Sequence, residues 1–295
     1  DCTTGSHKIF FFGGLSKPTL PTNFLIQFDP DTQSFTKENT PVLSRSGHTV
    51  TAIRDCIYVA FGFNRNTTYN DIWQFDSATG FWKDISLGKN LPERKNHSCV
   101  AYGDELFFFG GENRSNKLIN VVSKFNVQTC IYEQLSNEDD YHAPPGTHFH
   151  TAQIVNKYLV IFGGKNKKGM SEDVYAFDLV ERIWHSFHPS DVLPRFNHRM
   201  HAIMDRFLLI LYGISKNGAQ PPILLDLYSG YQISIKLAGN IPPSLLQFAS
   251  VSFDDKILLY GGMEAGNNRS LMSAFTIELK TAMAELGKNK YNYAK

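Results

Sequence analysis

The sequence predicts an all-β fold in which one four-stranded unit is repeated six times around a ring. Two observations predict it. An aromatic-glycine pair recurs at Phe12-Gly13, Phe61-Gly62, Phe109-Gly110, Phe162-Gly163, Tyr212-Gly213 and Tyr260-Gly261, with glycine intervals of 49, 48, 53, 50 and 48 residues. A period near 50 residues marks a repeat architecture, because one such unit cannot bury its apolar faces alone and must stack on its neighbours. The pairs also close short apolar runs, such as Leu106 to Phe109 and Tyr158 to Phe162. Such runs suit strands buried on both faces between adjacent sheets, and the glycine after them permits a bend and a close backbone approach.

The second unit shows the four strands in order. Arg45-Ser46-Gly47-His48 leads into Thr49 to Ile53, then Cys56 to Phe61, then Asn70 to Asp76, then Trp82 to Ile85, each β-prone and separated by polar turn residues. The ending recurs as an acidic or Asn residue followed six positions later by an aromatic: Asp29/Phe35, Asp76/Trp82, Asn126/Tyr132 and Asp178/Trp184. Units five and six drift to a gap of five, at Asp226/Tyr231 and Glu278/Met283. Phe35, Trp82 and Trp184 are expected to pack on neighbouring strands. The 12 residues before Gly13 and the 34 after Gly261 together make close to one repeat, so a closed ring of six is expected over residues 1–295 as a single domain. Aligning Ile9 to Phe12 with Leu106 to Phe109 places the first strand of unit one at Cys2 to Gly5 rather than in the C-terminal tail. The natural protein is expected to continue beyond this segment.

Composition sets limits. The 295 residues are 42% hydrophobic and 13% aromatic, enough for a large core, and no apolar run approaches the roughly 18 residues of a membrane span. No membrane partner is expected. Cys2, Cys56, Cys99 and Cys130 lack metal-ligand spacing and form no dense framework, which favours a reducing, cytoplasmic location. Four Asn-x-Ser/Thr sites, at Asn66, Asn96, Asn113 and Asn268, compare with roughly three expected by chance in a chain this rich in Asn.

The Arg-x-x-His before the first strand, Gly-Gly after the second, Asn70-Asp71-Ile72-Trp73-Gln74-Phe75-Asp76 and a Trp in the fourth resemble the kelch repeat. The resemblance covers the whole chain. Gly62-Phe63 and Gly213-Ile214 depart from it by lacking the second glycine, and Leu245 and Phe248 replace Arg and His in unit six. The resemblance implies a six-bladed β-propeller of four-stranded antiparallel blades, kelch type, and a non-catalytic protein-interaction module without cofactors. A ubiquitin ligase adaptor or a cytoskeletal or polarity scaffold is the implied setting.

In such a ring the b–c and d–a connections emerge on one face and the a–b and c–d turns on the other. The first carries Lys17, Arg65, Arg114, Lys165, Lys167, Lys168, Lys216 and Arg269, joined by Arg45, Arg94, Lys95, Arg195 and Arg199. The second is acidic, with Asp29, Asp55, Asp76, Asp104, Asp178, Asp205, Asp226 and Asp254. Forked guanidinium donors suit planar anions, so Arg45, Arg65, Arg94, Arg114, Lys165, Lys167, Arg195 and His198 are the candidate residues for an acidic or carboxylate-terminated protein segment. Degron-binding kelch domains use arginines at the repeat position of Arg45, Arg94 and Arg195. The competing reading of these arginines is that they tie adjacent blades together. A net charge of +1 and the acidic second face argue against nucleic acid. The alternative is a metal-dependent enzyme built on His148, His150, His198 and His201. It would require His148 and His150, two apart, to share one face of a strand. Phosphate-binding glycine loops, Gly-x-Ser-x-Gly elbows and His-Glu-x-x-His helices are absent from the sequence.

Overall fold

A computed structural model describes residues 2–278 apart from 6–7, 18–19, 66, 190–191, 236–241, 267–268 and 272. Blade one is Cys2–Gly5, Lys8–Phe12, Phe24–Asp29 and Ser34–Asn39; blade two is Thr49–Ile53, Cys56–Ala60, Ile72–Asp76 and Phe81–Asp84. Ser98–Tyr102, Glu105–Phe109, Val122–Asn126 and Ile131–Gln134 make blade three, and Thr151–Val155, Tyr158–Phe162, Val174–Asp178 and Trp184–Phe187 make blade four. Blade five is Arg199–Ile203, Phe207–Leu211, Ile223–Asp226 and Gln232–Ser234. Blade six contributes Ala249–Phe253, Lys256–Tyr260 and Ala274–Glu278 among the described residues. Strands a to d follow one another antiparallel in each blade. No helix among the described residues is long and apolar enough to cross a membrane.

The core lies between blades rather than within them. Six apolar clusters join successive blades, and the last sets Cys2, Ile9 and Phe11 of blade one against Val251 and Leu258 of blade six. Phe11 and Tyr260 meet there with ring centroids 4.6 Å apart. Six junctions for six blades close the ring. Cys2–Gly5 pairs with Lys8–Phe12, so the first blade takes its inner strand from the N-terminal side, as the alignment predicts. A return by residues 288–294 falls outside the described residues.

Two junction features follow from backbone chemistry. The second glycine of each pair has φ between 85° and 93° at Gly14, Gly62, Gly111, Gly164, Gly213 and Gly262. A Cβ at Gly62 would meet the Ser46 carbonyl at 2.8 Å and the His48 Cβ at 2.7 Å, so only hydrogen fits there. This series corrects the predicted register by one residue in blades two and five. Phe61 (φ 57°) and Tyr212 (φ 53°) occupy the place of the first glycine, Gly13, Gly110, Gly163 and Gly261, and it is the first glycine that these blades lack. Next, the amide N–H of Gly14, Gly62, Gly111 and Gly164 donates to the carbonyl of Arg45, Arg94, Thr147 and Arg195 in the following blade. Gly47, Asn96, Phe149 and Asn197, all left-handed, form a second run. Asn96 donates to Gly47, Phe149 to Asn96 and Asn197 to Phe149.

The residues ending strand c cap the c–d turn. The side-chain oxygen of Asp29, Asp76, Asn126 and Asp178 accepts from the amides two and three residues on. In blade five Asp226 donates its amide to Tyr231 O just as Asp178 donates to Ile183 O. Tyr231 is therefore the counterpart of exposed Ile183, Gln232 takes the ladder place of Trp184, and the five-residue drift dissolves in blade five, while Met283 of unit six lies outside the described residues.

The strand d aromatics differ in burial. Trp184 is 4% exposed and packs against Phe177 and Phe109 of the preceding blade, with centroids 5.0 and 5.5 Å away. Trp82 is half-buried against Phe75 and Phe12. Phe35 is 53% exposed and meets only Phe28 among aromatic rings, a departure from the packed aromatic the sequence predicts. Trp184→Ala is expected to cost about 3 to 5 kcal/mol, Phe35→Ala under about 1 kcal/mol. Urea melts check this, and equal losses would contradict the burial difference.

Candidate partner-binding face

The b–c connections fold into small hairpins, Phe63–Asn64 with Thr67–Thr68, Lys165–Asn166 with Gly169–Met170 and Ile214–Ser215 with Gly218–Ala219, on the face shared with the d–a connections. Their tips expose Arg65 and Lys167, and the blade-three connection exposes Arg114. Lys165 is half-buried, its ammonium 3.8 Å from the centroid of Phe196. Acidic groups share this face: Glu138 pairs with Lys117 at 2.7 Å, and Glu112 accepts from Asn96 at 3.1 Å and lies 3.8 Å from Lys95. The face is therefore mixed with exposed basic tips, more balanced than the predicted segregation. Asn96 is a turn residue whose side-chain amide donates to Glu112 and whose main chain bonds Gly47 and Phe149.

Three of the predicted surface arginines lie inside. Arg45, Arg94 and Arg195 are 0%, 1% and 1% exposed. The pattern Arg-x-x-His does not reveal which way the first side chain turns; here it turns into its own blade. Arg45 meets both oxygens of Asp71, at 2.6 and 2.8 Å, and donates to the Phe61 carbonyl. Arg195 donates to the carbonyls of Tyr212 and Pro221. Burial lowers its pKa to about 10. Arg94 is different. Its Nη2 donates to the hydroxyls of Ser123 and Tyr132, while Nε and Nη1 are buried without hydrogen-bond partners among the described residues. Ladder pairing explains the contrast: Ile72 opposes Ala60 and Val122 opposes Phe109, so the residue before each, Asp71 in blade two, is Val121 in blade three. The signal was in the sequence as the Asp of Asn70-Asp71-Ile72, missing from Asn120-Val121-Val122.

Arg94 floors a cleft of about 320 Å³ whose walls include Pro92, Asn113, Lys117, Ile119, Tyr132 and Glu138. A second cleft of about 430 Å³ lies between the hairpins of blades one and two, lined by Leu20, Pro21, Ser44, Asn64, Arg65, Thr67 and Tyr69. Both open among the b–c connections.

The histidines are junction residues. His48 packs on Phe12, His97 on Phe61, His150 on Phe109 and His198 on Phe162, each with centroids 5.3 Å apart across a junction. His150 and His198 bond Ser98 and Thr151 of preceding blades, and His201 bonds Ser250 and Ser252 of blade six. Burial pushes His48, His97 and His198 well below the usual imidazole value, His150 down to about 3 and His201 to about 4. The metal alternative loses its geometry. Residues 148 and 150 precede strand a and flank left-handed Phe149, so their rings do not share a strand face, and His148 turns toward Glu112. Among the described residues no group of three or more His, Cys, Asp or Glu could hold a metal ion.

The sequence matches the KLHDC2/KLHL20/DRC7 Kelch-repeats domain over residues 2–109 and 47–262. The chain belongs to the kelch-repeat family. This kelch chain is 29% identical to Adagio protein 3 of Arabidopsis thaliana over 216 residues, covering 68% of the chain and 34% of that protein. It is 27% identical to Kelch domain-containing protein 3 of Homo sapiens over 197 residues, 61% of the chain and 50% of the relative. Acyl-CoA-binding domain-containing protein 5 of Arabidopsis thaliana is 26% identical over 266 residues, 82% of the chain and 40% of that protein. The kelch chain thus spans half or less of the length of these relatives.

Proposed function

We propose that the face bearing the b–c hairpins recognises an acidic or carboxylate-terminated segment of a protein partner. The chain then acts as substrate receptor or scaffold in a larger assembly, such as a ubiquitin ligase or a cytoskeletal or polarity complex, with further domains outside this segment. A kelch propeller is a protein-interaction module, rigid in the ring and variable in its loops. Four free cysteines are in keeping with a reducing compartment such as the cytoplasm.

The observation that carries the reading is Arg94. A buried guanidinium without a carboxylate is costly, and the blade supplies one to Arg45 but none to Arg94. A partner carboxylate entering the blade-three cleft, with Tyr132 turning aside, would take the place Asp71 fills in blade two, while exposed Arg65, Arg114 and Lys167, with Lys165 beside them, draw the acidic segment in. Arg45 gives its guanidinium to Asp71 and the Phe61 carbonyl, Arg195 bonds two carbonyls and His198 bonds Thr151, so all three support this surface from beneath.

Val121→Asp tests it by supplying the carboxylate internally. The variant is expected to keep or raise its melting temperature while losing partner capture in pull-downs from cells. A lower melting temperature with capture intact would refute the assignment. Arg65→Glu with Lys167→Glu should also abolish capture, and raised salt should weaken it. Asp205→Lys with Asp254→Lys, exposed in a–b turns of the opposite face, should leave it unchanged. The reverse pattern would place the partner on the other face.

A further inference from the structure

The cleft between blades one and two has a composition that no other b–c connection repeats. In blade one this hairpin pairs Leu15–Lys17 with Leu20–Pro21, and Leu15 and Leu20, the first residue of each strand, are 50% and 48% exposed. Amide pairing aligns the residue before each anchor, since Thr22, Tyr69 and Ile119 donate to the carbonyls of Gly14, Gly62 and Gly111. By that alignment Thr67 and Lys117 stand where blade one has Leu20, and Phe63 and Glu112 where it has Leu15. Leu43, 61% exposed, adds a third aliphatic side chain on the approach to blade two. Exposed leucines on these connections, with Leu20 and Pro21 lining the cleft itself, are a feature that folding alone does not ask for.

The polar groups of the cleft are equally particular. Arg65 is exposed, in a left-handed turn that holds it at the hairpin tip. Tyr69 lies 4.3 Å over the Arg45 guanidinium, whose charge Asp71 already answers, and its hydroxyl donates to the Ser44 carbonyl. Asn64 donates from Nδ2 to the Ser44 hydroxyl at 2.8 Å, and its buried Oδ1 has no partner among the described residues. An unanswered amide oxygen in a cleft asks for an N–H donor, which every peptide backbone carries.

From this arrangement we infer that the blade-one/blade-two cleft is a peptide subsite for an acidic residue next to an aliphatic or aromatic one. The carboxylate meets Arg65, the apolar neighbour lies on Leu20, Pro21 and Tyr69, and a main-chain N–H reaches Asn64 Oδ1. The inference rests on the hairpin face being the partner surface. It adds that the recognised segment must present an apolar side chain as well as charge, so that polyglutamate or inorganic phosphate would not bind here.

The probe is a random peptide library displayed on phage and selected on the whole chain. Enriched peptides are expected to hold Asp or Glu within two residues of Leu, Ile, Met or Phe. Their synthetic versions should lose at least tenfold in affinity with Arg65→Glu and with Leu20→Asp. Both residues are exposed, so unchanged melting temperatures will show that the loss is local. Conservative Arg65→Lys should restore most of the affinity. Enriched peptides without the acidic-apolar pairing, or affinities indifferent to both variants, overturn the inference. Arg94→Met separates the two sites: loss with Arg65→Glu and Leu20→Asp but not with Arg94→Met upholds this subsite and removes the blade-three anchor. Loss with Arg94→Met alone does the opposite.

Discussion

Acidification from pH 7 is expected to unfold the ring between about pH 6 and 4.5, beginning above the range where carboxylates protonate. His48, His97, His150, His198 and His201 are buried at blade junctions, and burial holds each neutral in the folded chain. In the unfolded chain they take up protons near pH 6.5. The unfolded state therefore binds more protons, stability is complete above about pH 6.5, and it falls as pH drops toward the folded values of about 3 for His150 and about 4 for His201. Each such histidine contributes a slope of up to about 1.4 kcal/mol per pH unit, and five acting together exhaust an ordinary stability of roughly 5–15 kcal/mol within two units. Circular dichroism melts at stepped pH will show it. His201→Gln should flatten the slope by about one proton, and a melting temperature constant from pH 7 to 5 would contradict the neutral junction.

Asp71→Ala is expected to cost about 3 to 5 kcal/mol, as much as losing a core aromatic, because it leaves Arg45 charged, 0% exposed and without its carboxylate. Asp71 also accepts from Trp73 Nε1 at 2.9 Å, so its removal frees a second buried donor. Removing both charges together, as Arg45→Met with Asp71→Ala, should recover most of the loss, since neither group is then stranded. A urea series on the two single variants and the double variant reads the coupling. Should Asp71→Ala cost under about 1 kcal/mol, the pair is solvated and Arg45 is available to a partner after all.

Blade number and closure were legible because the second glycines answer to a backbone demand, a left-handed turn pressed against the Cβ of the histidine that opens the same blade, or of Phe248 in blade six. The slips at Phe61 and Tyr212 were not legible. An aromatic in the first-glycine place reads like an aromatic ending the strand, and only its positive φ tells them apart. For the site, the exposed tips Arg65, Arg114 and Lys167 follow from their place between hairpin strands. The burial of Arg45, Arg94 and Arg195 does not, because side-chain direction at a junction depends on a counter-group some 26 residues on, roughly half a repeat away. Asp71, Val121 and Pro221 hold that place, and comparing them unit against unit is what separates a tied arginine from an untied one. Phe35 misled for a related reason. Its repeat position is shared with Trp184, yet the wall it would rest on belongs to another blade.

From blade two to blade five the left-handed residues before strand a donate in one rotational sense, Asn96 to Gly47, Phe149 to Asn96 and Asn197 to Phe149. Each joint is made of peptide groups, and side chains as unlike as hydrogen, carboxamide and benzyl occupy it without altering it. At these three junctions the joint is thus the same whatever the side chain, in the manner of a mortise that accepts any plank cut to one profile. Duplication or loss of a whole repeat would carry its own half of the joint with it. The lineage of such a ring can change its circumference by copying about fifty codons, while the hairpins above each joint are left free to diverge in what they grasp.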